Sequence, residues 1–100
     1  MSLILAGTYR LPAENVAELK AHVAEVVAAT RQEPGCLEYA HAEDATEPGL
    51  MRFFEIWRSQ EDLDAHFGMP HMAVWRAAGN RLGVTDRRLT AYDIAGQRQL

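Results

Sequence analysis

Leu50-Met51-Arg52-Phe53-Phe54-Glu55-Ile56-Trp57 is the stretch on which the fold turns. It is the most apolar run in the chain and reads as a β-strand. Side chains alternate between the two faces of a strand. Met51, Phe53, Glu55 and Trp57 therefore share one face, and Leu50, Arg52, Phe54 and Ile56 the other. A sheet with water on one side reads as polar there. Here both faces carry large apolar groups, so both need cover.

The neighbouring segments supply one of the two covers. Upstream, Asp44 to Gly49 with its Pro48-Gly49 pair reads as a hairpin connection to a strand over 36–43, with Leu37, Tyr39 and His41 on one side. Before that strand lies an amphipathic helix. Pro12 suits its first position, Val16, Leu19, Val23, Val26, Val27 and Thr30 form its apolar stripe, and Pro34-Gly35 ends it. Residues 3–10 read as a first strand, with Leu3, Leu5 and Tyr9 on one face. Downstream, Ser59 and Asp62 have capping-box spacing before a short helix carrying Leu63, His66 and Phe67. Gly68 and Pro70 break it, and a second piece follows with His71, Val74, Trp75, Ala78 and Leu82 on one stripe. Gly83 ends that piece, and Val84 to Ile94 contains a last strand. The order β-α-β-β-α-β predicts a ferredoxin-like α+β domain over residues 1–100, with a four-stranded antiparallel sheet.

Both helical segments of such a domain lie on one sheet face. A second copy, packed sheet to sheet about a two-fold axis, is the economical cover for the other, so a homodimer is expected. The alternative is that Leu50, Phe54 and Ile56 form an exposed patch. Composition narrows the function classes. The chain has 100 residues, 48% of them hydrophobic and 24% charged, with a formal charge of −4 and no run of Lys or Arg. Nucleic acid is not an expected partner. No apolar stretch approaches the ~20 residues of a membrane span, so no membrane role is expected. The opening residues do not read as a signal peptide, and Cys36 alone cannot form an intrachain disulfide, so a cytoplasmic location is expected.

Three runs carry a family resemblance: Glu33-Pro34-Gly35-Cys36-Leu37-Glu38-Tyr39, Phe54-Glu55-Ile56-Trp57 continuing to Asp64-Ala65-His66, and Pro70-His71. Together they resemble the antibiotic biosynthesis monooxygenase family, and within it the small bacterial quinol monooxygenase-like members, over nearly the whole chain. The resemblance implies a dimeric α+β barrel and oxygenation of electron-rich aromatics by molecular oxygen, with no metal, cofactor or prosthetic group. The family also holds haem-degrading enzymes and a signal-molecule isomerase. The haem-degrading relatives rely on an Asn in the first strand, and this first strand has none.

His66 and His71 flank the helix break, match the family's D-A-H and P-H positions, and are the first catalytic candidates. An imidazole titrates near neutral pH and suits proton abstraction, although either ring can instead bond backbone freed by the break. Glu55 stands between Phe53 and Trp57 on one strand face, where desolvation raises a carboxyl pKa. It reads as a base or acceptor, or as a structural acid paired with Arg52, Arg58 or a histidine. Tyr39, Phe53, Trp57 and Trp75 are candidate substrate-binding residues for a flat ring, or simply core. Cys36 reads as a small packed hydrophobe, and His22 and His41 as surface or edge residues. No metal site is expected, since His66 and His71 lie five apart across a proline and do not share a helical face.

These residues suggest a mechanism. A deprotonated phenol or hydroquinone can pass one electron to oxygen unaided, so the protein need only take the proton, steady the oxyanion and exclude water. His66 or His71 acts as base, Glu55 orients, and Trp57 with Tyr39 sandwiches the ring. The alternatives are an isomerase or epimerase of a small carbonyl compound, and a non-catalytic small-ligand-binding module.

Overall fold

The structure, a computed structural model, describes residues 1–100. Its elements run β1 (Leu3–Arg10), α1 (Val16–Thr30), β2 (Cys36–Glu43), β3 (Leu50–Trp57), α2 (Gln60–Phe67), α3 (Pro70–Leu82) and β4 (Thr85–Asp93). The strands form one antiparallel sheet in the order β2-β3-β1-β4. This is the ferredoxin-like arrangement with its second helix broken. A single chain leaves the sheet open, so no barrel closes within one protomer.

β3 lies inside the sheet, between β1 and β2, and its reading holds. Met51, Phe53, Glu55 and Trp57 are buried under the helices, whereas Arg52 is exposed and Phe54 is 38% exposed on the opposite face. Leu50, at the hairpin end, is buried as well. From β1, Leu3, Leu5 and Tyr9 join the same core, and α1 lays Val16, Leu19 and Val26 over it. Ser59 caps α2 by accepting from the Asp62 N–H at 3.1 Å. Gly83, at φ 86°, closes α3 in the left-handed region that a glycine adopts without penalty.

Four details depart from the sequence reading, each for a packing reason. Pro12 opens a 3₁₀ turn over Ala13–Asn15 rather than the α-helix itself. α1 stops at Thr30, ahead of Pro34, and the intervening turn bonds the Cys36 N–H to the Glu33 carbonyl at 3.1 Å. Leu37 does not share a face with Tyr39 and His41. Cys36 stands opposite Trp57 and Glu38 opposite Ile56, so a bulge inserts Leu37 as an extra residue. Cys36 then packs inward and Leu37 is left 58% exposed. Finally, α3 buries Met72, Ala78, Gly79 and Leu82, while Val74 points out at 59% exposure. Phe67 at the end of α2 is likewise 40% exposed.

Gly7 of β1 faces the core, opposite Phe53 and Leu89. A Cβ there would fall 1.7 Å from the Arg88 carbonyl oxygen and 2.9 Å from Phe53 Cζ. The missing side chain is what lets the Phe53 ring lie across β1. Gly7→Ala is expected to cost about 1–3 kcal/mol, the range for overpacking a close contact. Urea unfolding checks it: the midpoint should fall at constant slope, and an unchanged midpoint would contradict this close approach.

Candidate active site

The site is organised by a residue outside the elements. Glu33 sits in the turn after α1 and is 9% exposed. Its Oε2 lies 2.7 Å from His66 Nδ1 and 2.8 Å from His71 Nε2. A carboxylate only accepts, so both imidazole nitrogens facing it carry protons. His66 therefore holds its proton on Nδ1 and keeps the lone pair on Nε2. The helix break makes this convergence possible: α2 delivers His66 from its last turn, and Pro70 restarts the chain so that α3 delivers His71 from its first.

His66 is 1% exposed. Its ring packs 4.6 Å from the Trp57 ring and 5.5 Å, edge-on, from Tyr39. Burial lowers its pKa from the ordinary 6.5, a pull that the Glu33 bond and charge oppose without reversing. The imidazole is neutral at neutral pH. Glu55 is 4% exposed, and its one side-chain bond is from Trp57 Nε1 at 2.8 Å. Burial pushes its pKa up to about 7, the Trp57 bond opposes that rise, and the Glu33 charge adds to it. Neither Arg52 nor Arg58 reaches Glu55; they pair with Asp44 and Asp62.

Between the sheet and α3 lies a cavity of about 100 Å³. Tyr39, Phe53, Glu55, His66 and Trp75 line it. Two expected residues do not line it. Trp57 is 0% exposed and touches the site through Glu55 from beneath. Its ring meets Tyr39 at 6.4 Å and 78°, edge to face, so these two cannot sandwich a substrate ring between them. His71 lies beyond Glu33, in a separate pocket shared with His22 and Trp75.

Sequence reasoning missed three members. Glu33 was read within the PGC motif but given no chemistry. His41, expected at the surface or edge, is in the cavity wall. The Tyr9 hydroxyl lies 3.2 Å from its Nδ1, and burial brings its pKa down to about 4. Its Nε2 is buried without a partner. Tyr9 lines the cavity too, with its phenol pKa driven up by burial. A signal for both existed: His41 is two residues from Tyr39 and Tyr9 four from Leu5, each spacing that of one strand face. Cys36 stands as read, its thiol pKa raised by burial and by the charges of Glu33 and Glu55.

Glu33, His66 and His71 also form the set that would hold a metal ion, since their ligand atoms all lie within 4.8 Å of one another. Two imidazoles and a carboxylate suit zinc or ferrous iron. The expectation that the two histidines cannot converge is thus corrected. Their 2.7 and 2.8 Å contacts with Oε2 are hydrogen-bond spacings, tighter than the about 3.3 Å between neighbouring ligands on tetrahedral zinc. The carboxylate fits a bridge between two N–H donors better than a metal ligand.

Residues 2–78 match the family model described as antibiotic biosynthesis monooxygenase. An uncharacterized protein of a Synechocystis strain, sll1783, is 35% identical over 93 residues, and the chain spans 63% of that relative's length. A crystal structure from Deinococcus radiodurans, titled a "putative antibiotic biosynthesis monooxygenase", is 33% identical with a TM-score of 0.90, covering 98% of this chain and 97% of that one. Rv0793 from Mycobacterium tuberculosis is 25% identical with a TM-score of 0.87, covering 99% of this chain and 100% of that one.

The raised pKa of Glu55 makes stability depend on pH. Below about 4.5 the acid is protonated whether folded or not, and its burial costs nothing. Between 4.5 and about 7 the unfolded chain releases a proton that the folded one keeps, so stability falls as pH rises. Glu55→Gln removes this loss while keeping an oxygen for Trp57 Nε1. It should exceed the wild type in stability at pH ~8 by up to about 3 kcal/mol, with the gain vanishing near pH ~4. Denaturant unfolding at the two pH values checks this, and equal pH profiles would remove the buried-acid assignment.

Proposed function

The chain belongs to the antibiotic biosynthesis monooxygenase family, and on that premise we propose that its cavity oxygenates a small electron-rich aromatic, a phenol or hydroquinone, with molecular oxygen and without metal or prosthetic group. One observation carries the reading. A buried, neutral imidazole presents a free Nε2 at the cavity wall because Glu33 holds its other nitrogen protonated.

Each step uses groups already described. His66 Nε2 takes the proton of the substrate hydroxyl, and Glu33 stabilises the imidazolium through the Nδ1–H bond. The ring, now a phenolate, gives one electron to oxygen, and the radical pair combines to form a carbon–oxygen bond. For a hydroquinone the sum is one hydroquinone and one O₂ giving one hydroxyquinone and one water. Glu55, protonated over part of the neutral range, is placed to donate a proton to the departing oxygen. Phe53, Tyr39 and Trp75 keep the cavity apolar, which strengthens these charge interactions by excluding water. His71 is a positioning residue, since it acts on His66 only through Glu33.

The same pair supports a second reading. A neutral base and a protonated carboxyl across one cavity would also serve proton transfer between carbons, as in an isomerase or epimerase of a small carbonyl compound. Oxygen separates the two. Metal-stripped protein should consume oxygen with a hydroquinone, and His66→Ala should lower the rate about a hundredfold or more, the usual scale of a general base. His71→Ala should lose less. The wild-type rate should fall on acidification only below pH ~6.5, since burial lowers the His66 pKa, and should fall again above about pH 7 as Glu55 loses its proton. Turnover that proceeds without oxygen would replace this reading with the isomerase one.

We further propose that the protein works as a homodimer. Phe54, Ile56 and Tyr92 lie on the sheet face opposite the helices, with Phe54 38% and Tyr92 54% exposed. β4 is exposed along its whole length. A second sheet over this face would bury both features. Sedimentation should give a dimer for the wild type and a monomer for Phe54→Glu, and a folded wild-type monomer in dilute buffer would end the proposal.

A further inference from the structure

The inner end of the cavity holds the base and the acid, and its mouth holds two cations. Arg76 of α3 and Arg87 of β4 line it. Neither has a carboxylate partner, although Arg10, Lys20, Arg52, Arg58 and Arg81 each pair with an acid elsewhere. Arg76 donates to the Phe67 carbonyl oxygen at 3.2 Å, and Arg87 to Asn80 Oδ1 at 3.3 Å. Neutral acceptors of this kind hold a guanidinium in place and leave its charge uncompensated. Arg87 Nη2 also lies in van der Waals contact with residue 79, 3.5 Å from where a Cβ on Gly79 would stand. In a chain of formal charge −4, a pair of unmatched cations at one opening is a local reversal of sign.

Size supplies an independent observation. The cavity of about 100 Å³ is smaller than the about 150 Å³ that takes up a benzene ring in an engineered apolar pocket. A substituted ring whose hydroxyl reaches His66 therefore cannot lie wholly inside. Its far end occupies the mouth, between the two guanidiniums. A planar fork of N–H donors matches a carboxylate.

We propose that the substrate of this site is a single-ring phenol or hydroquinone bearing a carboxylate, with the hydroxyl at His66 and the carboxylate held by Arg76 and Arg87. The hydroxyl end rests on the oxygenase reading; the carboxylate end is a binding assignment that can be tested without turnover. The intact protein is titrated under anaerobic conditions with gentisate and with its neutral amide, gentisamide, following tryptophan fluorescence, to which Trp75 in the wall contributes. Gentisate should bind about tenfold or more tightly than gentisamide, the scale of a charge-assisted hydrogen bond. That ratio should fall to near one in Arg76→Gln/Arg87→Gln, and it should shrink with added salt. Both arginines are exposed, so the double variant should fold, and either single variant gives the same readout at smaller amplitude. Equal affinity for acid and amide, binding of neither, or a preference that survives the double substitution would overturn the proposal. A preference that tracks the arginines in a protein consuming no oxygen would keep the mouth assignment and remove the oxygenase. Oxygen uptake with no preference would do the reverse.

Discussion

One carboxylate oxygen ties the helical layer together where the chain is least regular. Glu33 Oε2 accepts from an imidazole on each side of the Gly68–Pro70 break. Apart from it, one side-chain bond joins α3 to α2 across the kink, from Arg76 to the Phe67 carbonyl oxygen. With the Glu33 contact in place, His71 is pinned toward α1, Met72 turns down onto the core and Val74 turns out. The same contact sets the His66 tautomer. A structural tie and a chemical device are thus one interaction, which is why neither histidine can be described alone.

Two buried acids then divide the work by their surroundings. Glu33 faces two N–H donors that stabilise its charge. Glu55 has only the Trp57 indole N–H against an apolar wall, and burial pushes it up to about 7. Ionising Glu33 makes ionising Glu55 harder, since both lie in the same low-dielectric region. The result is an imidazole without its second proton and a carboxyl that keeps its proton over part of the neutral range, held on a common cavity. Trp57, fully buried, tunes this pair from below and does not touch the cavity.

The sheet frames the cavity by leaving material out as much as by placing it. Gly7 lets Phe53 cross β1. The bulge at Leu37 keeps Cys36 and Tyr39 both inward. A residue of ordinary size at Gly7 would close part of the space between sheet and helices. The opposite sheet face carries Phe54 and Tyr92 in the open, an apolar surface that one chain cannot cover.

Element order, the sheet's inward face and five of the cavity residues were legible in the chain before it folded. Period-two alternation along β1 and β3 and helical spacing along α1 are local rules, and local rules survive in a one-dimensional string. Alternation along β3 named Phe53 and Glu55 together, whereas His66 came from the helix break and the family resemblance, and Tyr39 and Trp75 from their aromatic rings. Tertiary structure alone decided that Glu33, 33 residues before His66 and 38 before His71, is the group on which both converge. It also decided that Trp57 lies beneath the site, that His71 lies outside it, and that His41 lies within it. Each of these depends on where a helix rolls or a strand bulges once packed. Such choices follow from contacts between segments distant in the chain, and no spacing within a segment encodes them.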